Sequence, residues 1–178
     1  SLMGTVASGR RQSSTHQRFG YLARSHAIHA TVGSDTTFRT LLASLETQRN
    51  DIVAQQTPEL CDFVRHPDAK QLTTRIQVVY VHQNMPPLQL PDSLQRLDDG
   101  AHRGLARTPL YLTSEWIGQT LRLQWEFDGT LLSQEQVEDL AELLDHMLRE
   151  ALTSPDTPLS RLSLLSPRQM KAWSAFQG

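Results

Sequence analysis

Seven histidines, a single cysteine and three tryptophans are the residues on which this sequence could build chemistry. No H-E-x-x-H and no cysteine pair is present, so neither usual zinc arrangement can form from local sequence. His26 and His29 stand three apart, which in a strand puts them on opposite faces and argues against shared ligation. There is no G-x-S-x-G elbow and no phosphate-binding P-loop, and Gly4, Gly9 and Gly20 are too scattered for a dinucleotide fingerprint. No histidine has a neighbour in sequence that would orient it for proton transfer. His82 reads as a hydrogen-bonded core histidine, and Asp98-Asp99 as a solvated acidic turn. Trp116, Trp125 and Trp173 read as packing residues. No catalytic, cofactor-binding or metal-binding residue is therefore assigned.

Charge gives a weaker indication. The net charge is -2, which disfavours nucleic acid as a partner of the whole chain. Yet residues 1–33 hold Arg10, Arg11, Arg18 and Arg24 with no acid. Such a basic strip could attract phosphate, from a nucleic acid or from a phosphopantetheine arm, although four solvated arginines need no ligand. Cys61 alone can make no intrachain disulfide, which suits a reducing cytosol, and it reads as a buried, inert thiol. No apolar run approaches the ~20 residues of a membrane span, and the start does not read as a signal peptide. Met3 could be a native start, or the chain could begin inside a longer one.

The elements that must position these side chains alternate between strand and helix. MGTVASG reads as a strand, and FGYLARSHAIHATV as another. Ser34-Asp35 offers an N-cap to the helix TTFRTLLASLETQRNDIVAQQ, whose apolar face is Phe38, Leu41, Leu42, Leu45, Ile52 and Val53. A short helix from Pro58 to about Val64 follows. RIQVVYVHQ is apolar on both faces, as expected of a central strand. TPLYLTSEW and TLRLQWEFD read as a hairpin about Ile117-Gly118, with Leu121, Leu123, Trp125 and Phe127 alternating against Arg122, Gln124 and Glu126. Ser133-x-x-Gln136 is a capping box before a long helix with a stripe of Val137, Leu140, Leu144, Met147 and Ala151. SPDTPLSRL reads as an extended linker, and Ser166-Pro167-Arg168-Gln169 as the cap of a short closing helix. The reading is one α/β lobe over residues 1–153, with a mixed sheet packed with helices, and a linker with a short helix over 154–178.

Five stretches, in order, resemble the C-terminal part of nonribosomal peptide synthetase condensation domains. Gly4-Thr5-Val6-Ala7-Ser8-Gly9-Arg10 is similar to the family's G-T-x-x-S-G-R, and Phe19-Gly20-Tyr21-Leu22 stands where it has V-G-x-F-V-N-T. Phe38-Arg39-Thr40-Leu41-Leu42 resembles its F-R-x-L-L helix start. Gln77-Val78-Val79-Tyr80-Val81-His82-Gln83-Asn84 resembles its Q-V-x-F-x-x-Q-N strand. Pro158-Leu159-Ser160 through Leu164-Leu165-Ser166-Pro167 is similar to the P-L-S-x-L-x-L-L-S linker that leads into an adenylation domain. The active-site motif H-H-x-x-x-D-G is absent. Of H-Q-D-x-P-F-E only Gln55 and Pro58 survive, and R-D-x-S-R-x-P-L is essentially lost across residues 69–75.

The resemblance implies a partial, degenerate second lobe of a chloramphenicol-acetyltransferase-like fold. Residues 10–19 would match the floor loop, and roughly 98–112 the latch to a first lobe. It implies a non-catalytic platform or linker for a downstream adenylation domain, in the cytoplasm. The tail would present Leu159, Leu162, Leu164, Leu165, Trp173 and Phe176 as an interface. Alternatively, the chain is half of an active amide-forming domain whose histidine-bearing first lobe lies elsewhere, or a module that docks a peptidyl carrier protein through Arg10, Arg11, Arg18 and Arg24. No cofactor is expected on the chain itself; phosphopantetheine would arrive on carrier proteins. Because the lobe's first helices are also missing from this pattern, some core face would be bare unless self-association or a partner covered it.

Overall fold

The structure, a computed structural model, describes residues 1–7, 23–54, 76–83, 106, 108–163, 165, 169–171 and 173–174. Within them runs a five-stranded mixed sheet, β1 (Leu2–Ala7), β2 (Arg24–His29), β3 (Val78–Gln83), β4 (Leu110–Ile117) and β5 (Thr120–Phe127), in the order β2-β1-β3-β4-β5. β1, β3 and β4 are parallel neighbours, and β2 and β5 close the edges antiparallel. The helices α1 (Phe38–Val53) and α2 (Gln134–Thr153) complete the α/β pattern, with a 3₁₀ turn at Leu159–Arg161.

The expected central strand is central, but it is shorter than RIQVVYVHQ, and Val78, Val79, Tyr80 and Val81 are half-buried rather than sealed on both faces. Among the described residues, the buried apolar side chains are Ile52, Ile76, Leu110, Leu112, Val137 and Ala151. Gly4 marks a close approach: a Cβ there would come within 3.0 Å of Val79 Cγ2 and 3.1 Å of Ile76 Cγ2. The hairpin turns through Gly118-Gln119, and Gly118 takes φ 62°, a left-handed value that costs a residue without Cβ little.

The α1 cap differs from expectation. Thr37, not Ser34 or Asp35, accepts from the Thr40 amide, and Thr40 Oγ1 accepts from the Thr37 amide, a reciprocal box. Ser34 and Asp35 instead lie in a turn closed by Thr36 N–H on the Gly33 carbonyl. Their side chains are better caps by type, but the turn places them outside the first helical residue. Leu42, assigned to the apolar face, is 54% exposed. α1 also seals an edge: Gln48 donates Nε2–H to the His29 carbonyl at 2.8 Å and accepts the His29 amide at 2.9 Å. A primary amide is both donor and acceptor, so one side chain satisfies both outward backbone groups of an edge residue.

The Ser133–Gln136 capping box opens α2 as expected. Of its stripe, Val137 and Ala151 are buried, Leu144 and Met147 half-buried, and Leu140 exposed.

Candidate functional site

Residues paired across neighbouring strands share a sheet face, and alternate residues along a strand return to it. By that rule His26, Thr5, Tyr80, Leu112 and Trp125 form one row across the sheet. His82, Ser114 and Leu123 stand in the next row, toward the carboxyl ends of the parallel strands β3 and β4. One pair further, Trp116 faces Leu121. In open α/β sheets the carboxyl ends of parallel strands are where polar ligand-binding groups collect.

Ser114 is the pivot. It is 1% exposed, and its Oγ lies 2.8 Å from Tyr80 Oη and 2.8 Å from His82 Nδ1. A buried hydroxyl needs partners, and here it has one on each side. If Tyr80 donates to Ser114 and Ser114 donates to His82 Nδ1, both hydroxyl protons have acceptors and His82 carries its proton on Nε2. His82 itself is exposed, which corrects the expectation of a core histidine. It is hydrogen-bonded, as expected, but it sits at the end of β3 where the covered part of the sheet stops. A partner that orients it does exist, 32 residues away in sequence, so scanning for local partners missed it.

The remaining candidates fall as follows. His26 is 2% exposed, its Nδ1 has no hydrogen-bond partner among the described residues, and His29 is exposed, so the two do point apart. No group of three His, Cys, Asp or Glu side chains is placed to hold a metal among the described residues. Trp116 is 61% exposed and Trp173 57%, against the packing role read for both, whereas Trp125 is half-buried. Both exposed rings lie beyond the covered surface, one at the hairpin tip and the other in the tail. Of the basic strip only Arg24 is described; it is exposed and engaged in an interaction. Arg10, Arg11 and Arg18 lie outside the described residues, as do Cys61, Asp98-Asp99, the helix from Pro58, the floor-loop stretch, Leu164 and Phe176.

The tail is not a free extended linker. Leu159 N–H bonds the Thr36 carbonyl at 2.8 Å, Arg39 N–H the Pro155 carbonyl at 3.1 Å, and Ser160 Oγ the Ser34 carbonyl at 2.8 Å. Arg39 adds two bonds to the Asp156 carboxylate, at 2.6 and 3.1 Å. Hydrogen bonding from Arg39, and then its charge, holds the Asp156 carboxyl below its usual range. Further on, Ser163 N–H reaches Glu150 Oε2 and Gln169 Nε2–H reaches the Asp139 carbonyl, so the tail runs back along α2. Within itself the stretch closes only short turns, Thr157 on Ser154, Arg161 on Pro158 and Leu162 on Leu159, and Leu159 N–H and the Pro155 carbonyl reach the backbone just before α1 and in its first turn. Leu159 and Leu162 are consequently half-buried against their own lobe, while Leu165, Met170 and Trp173 stay exposed.

Comparison with known proteins agrees with this fold. Residues 1–173 match the family described as "Condensation domain". The chain is 26% identical over 170 residues to one of the linear gramicidin synthase proteins of Brevibacillus parabrevis, covering 92% of this chain and 2% of that protein. It is 24% identical over 170 residues to bacitracin synthase 1 of Bacillus licheniformis, covering 93% of this chain and 3% of that one. The chain thus spans a very small part of the curated relatives it matches. Among solved structures, the first condensation domain of the CDA synthetase superposes with a TM-score of 0.67 at 13% identity, over 93% of this chain and 37% of that one. A four-domain nonribosomal peptide synthetase bound to AMP and glycine gives 0.70 at 16% identity, over 93% of this chain and 14% of that one. The mixed five-stranded sheet with its helices is therefore the chloramphenicol-acetyltransferase-like fold of condensation-domain structures. No described helix is long and apolar enough to cross a membrane.

Proposed function

The chain belongs to the condensation-domain family, and from that premise we propose that it is a C-terminal condensation lobe that serves a peptide synthetase as a non-catalytic platform for an adenylation domain. The observation that carries this reading is the tail. Five hydrogen bonds tie Pro155, Asp156, Leu159 and Ser160 to residues 34–39, and the chain beyond them leaves Leu165, Met170 and Trp173 outward. A segment fixed at its root loses little freedom when its apolar side chains meet a partner, so binding through it avoids part of the usual ordering cost. Its partners would be an adenylation domain and carrier proteins, whose phosphopantetheine arms would bring the acyl groups. The test is Trp173→Ala in the full-length protein. Loss of hydrogen-exchange protection where the tail meets the adenylation domain, with the lobe's own melting unchanged, is the expected result. A lowered melting temperature with that contact intact would make the ring part of this lobe's own packing and overturn the reading.

A second reading, half of an active amide-forming site with its histidine motif on a first lobe, is favoured by one observation. The Tyr80–Ser114–His82 cluster is a buried-to-exposed polar chain at the carboxyl ends of parallel strands, where ligand-binding groups collect in α/β sheets. If peptide formation by the full-length protein is unchanged in Ser114→Ala, this second reading fails.

A further inference from the structure

The polar cluster of β3 and β4 has an apolar neighbour, and the two together describe a ligand. His82 uses Nδ1 on Ser114, and its Nε2 has no protein partner among the described residues. Ser114 cannot rotate away freely, because it is buried and held from the other side by Tyr80. The imidazole is thus fixed by one nitrogen and offers the other outward. The direction of the chain follows from donor and acceptor strength: a phenol is the stronger hydroxyl donor and a neutral imidazole nitrogen the strongest acceptor of the three groups, so Tyr80 donates to Ser114 and Ser114 to Nδ1. Either direction leaves one proton pointing out of the cluster, and in this one it is Nε2–H, on the exposed side chain. A donor fixed in this way selects an oxygen acceptor.

Two residues beyond Ser114 on the same face, Trp116 is 61% exposed and its cross-strand partner Leu121 42%. They extend the buried row of Leu110 and Leu112 past the covered part of the sheet. An exposed indole and leucine side by side make an apolar shelf. Neither half of the site comes from the resemblance: where the family strand has Phe, this chain has Tyr80, and His82 stands at a variable position.

We propose that His82 Nε2 and the Trp116–Leu121 pair form a binding site for an acyl group, with the imidazole donating to the carbonyl oxygen and the shelf receiving an apolar acyl chain. His82 and Trp116 are the binding residues, and Ser114 and Tyr80 position the imidazole. The choice of a thioester as the acyl carrier rests on the synthetase reading above.

The test uses the whole chain and 3-phenylpropionyl-N-acetylcysteamine thioester, followed by NMR of the His82 ring nitrogens and the Trp116 indole. The free protein is expected to hold His82 as the Nε2–H tautomer, and the thioester to shift both rings saturably. Ser114→Ala should mix the tautomers and weaken binding about three- to tenfold, the worth of one oriented hydrogen bond. Trp116→Ala should weaken it about tenfold. The thioether analogue, which lacks the carbonyl, should bind the wild-type chain weakly. This comparison needs no variant and holds even if Ser114→Ala fails to fold. Equal binding of thioester and thioether, or no saturable shift at either ring, overturns the proposal. Thioester binding through His82 in a protein that makes no peptide leaves the site standing and overturns the synthetase reading. Peptide synthesis by a full-length protein whose His82 and Trp116 ignore the thioester does the opposite.

Discussion

Deleting the hydroxyl of Ser114 removes two hydrogen bonds at once, because Tyr80 and His82 share that single oxygen. Ser114→Ala is expected to cost about 1–2 kcal/mol, since half-buried Tyr80 and exposed His82 recover some bonding from water. Urea unfolding reads this directly. The glycines separate two other costs. Gly4→Ala drives a Cβ into Val79 and Ile76 between packed strands and should lose about 1–3 kcal/mol through overpacking. Gly118→Ala meets no atom within 4 Å, but it must hold φ 62° and should lose about 1 kcal/mol through backbone strain alone. Gly129→Ala has neither problem and serves as the neutral control.

At the scale of elements, β2 is an edge whose outward groups at His29 are capped by α1 rather than left to another chain. Gln48→Ala should cost about 1 kcal/mol and raise self-association through β2, because it uncovers the backbone groups of that edge. Sedimentation velocity as a function of concentration checks it; a monomer unchanged at every concentration refutes it. The tail's attachment is sensitive to acid. Asp156 is held below its ordinary value by the hydrogen bond and charge of Arg39, and Asp145 chiefly by the hydrogen bond from Arg149. Both carboxyls have a lower pKa folded than unfolded. Their contribution is therefore present above the ordinary value of about 3.9 and lost as pH falls through the folded values. Both pairs are exposed, so the effect is small and weakens with salt. Asp156→Asn should flatten the acid side of the stability profile, and in the unsubstituted chain proteolysis in the tail should speed up below about pH 4.

For the whole molecule, the absence of H-H-x-x-x-D-G from these 178 residues sets the expectation for activity. Incubated with loaded donor and acceptor carrier proteins, this chain by itself should yield no amide product above the uncatalysed rate by mass spectrometry. Under the proposed reading the chain supplies one wall of a two-substrate site, and one wall does not hold both substrates at high effective concentration. Histidine-dependent dipeptide from the isolated chain would overturn the platform reading. The exposed rings bear on assembly as well. Trp116 lies at the hairpin tip and Trp173 in the tail, and single substitutions at each should affect acyl binding and domain contact separately.

Much of what depends on near neighbours was legible in the sequence, the α1 cap excepted, which lies at Thr37 and not at Ser34-Asp35. The alternation of residues 120–127, the Ser133–Gln136 box and the apolar run of 78–81 gave the hairpin, the long helix and the central strand, because side-chain period and capping are local physics. Five short motifs gave the family by resemblance, and the match over residues 1–173 agrees with it. What the sequence left open depends on register and coverage. Tyr80, His82 and Ser114 meet only because β3 and β4 pair in parallel with His82 opposite Ser114, across 32 to 34 residues of chain. No local spacing encodes that distance. Trp116 and Leu112 look alike in an alternating strand, yet one is exposed and the other buried, since the covered part of the sheet ends between them. The tail's proline spacing suggested an extended linker, but its backbone had free partners at residues 34–39 that only the folded lobe brings within reach.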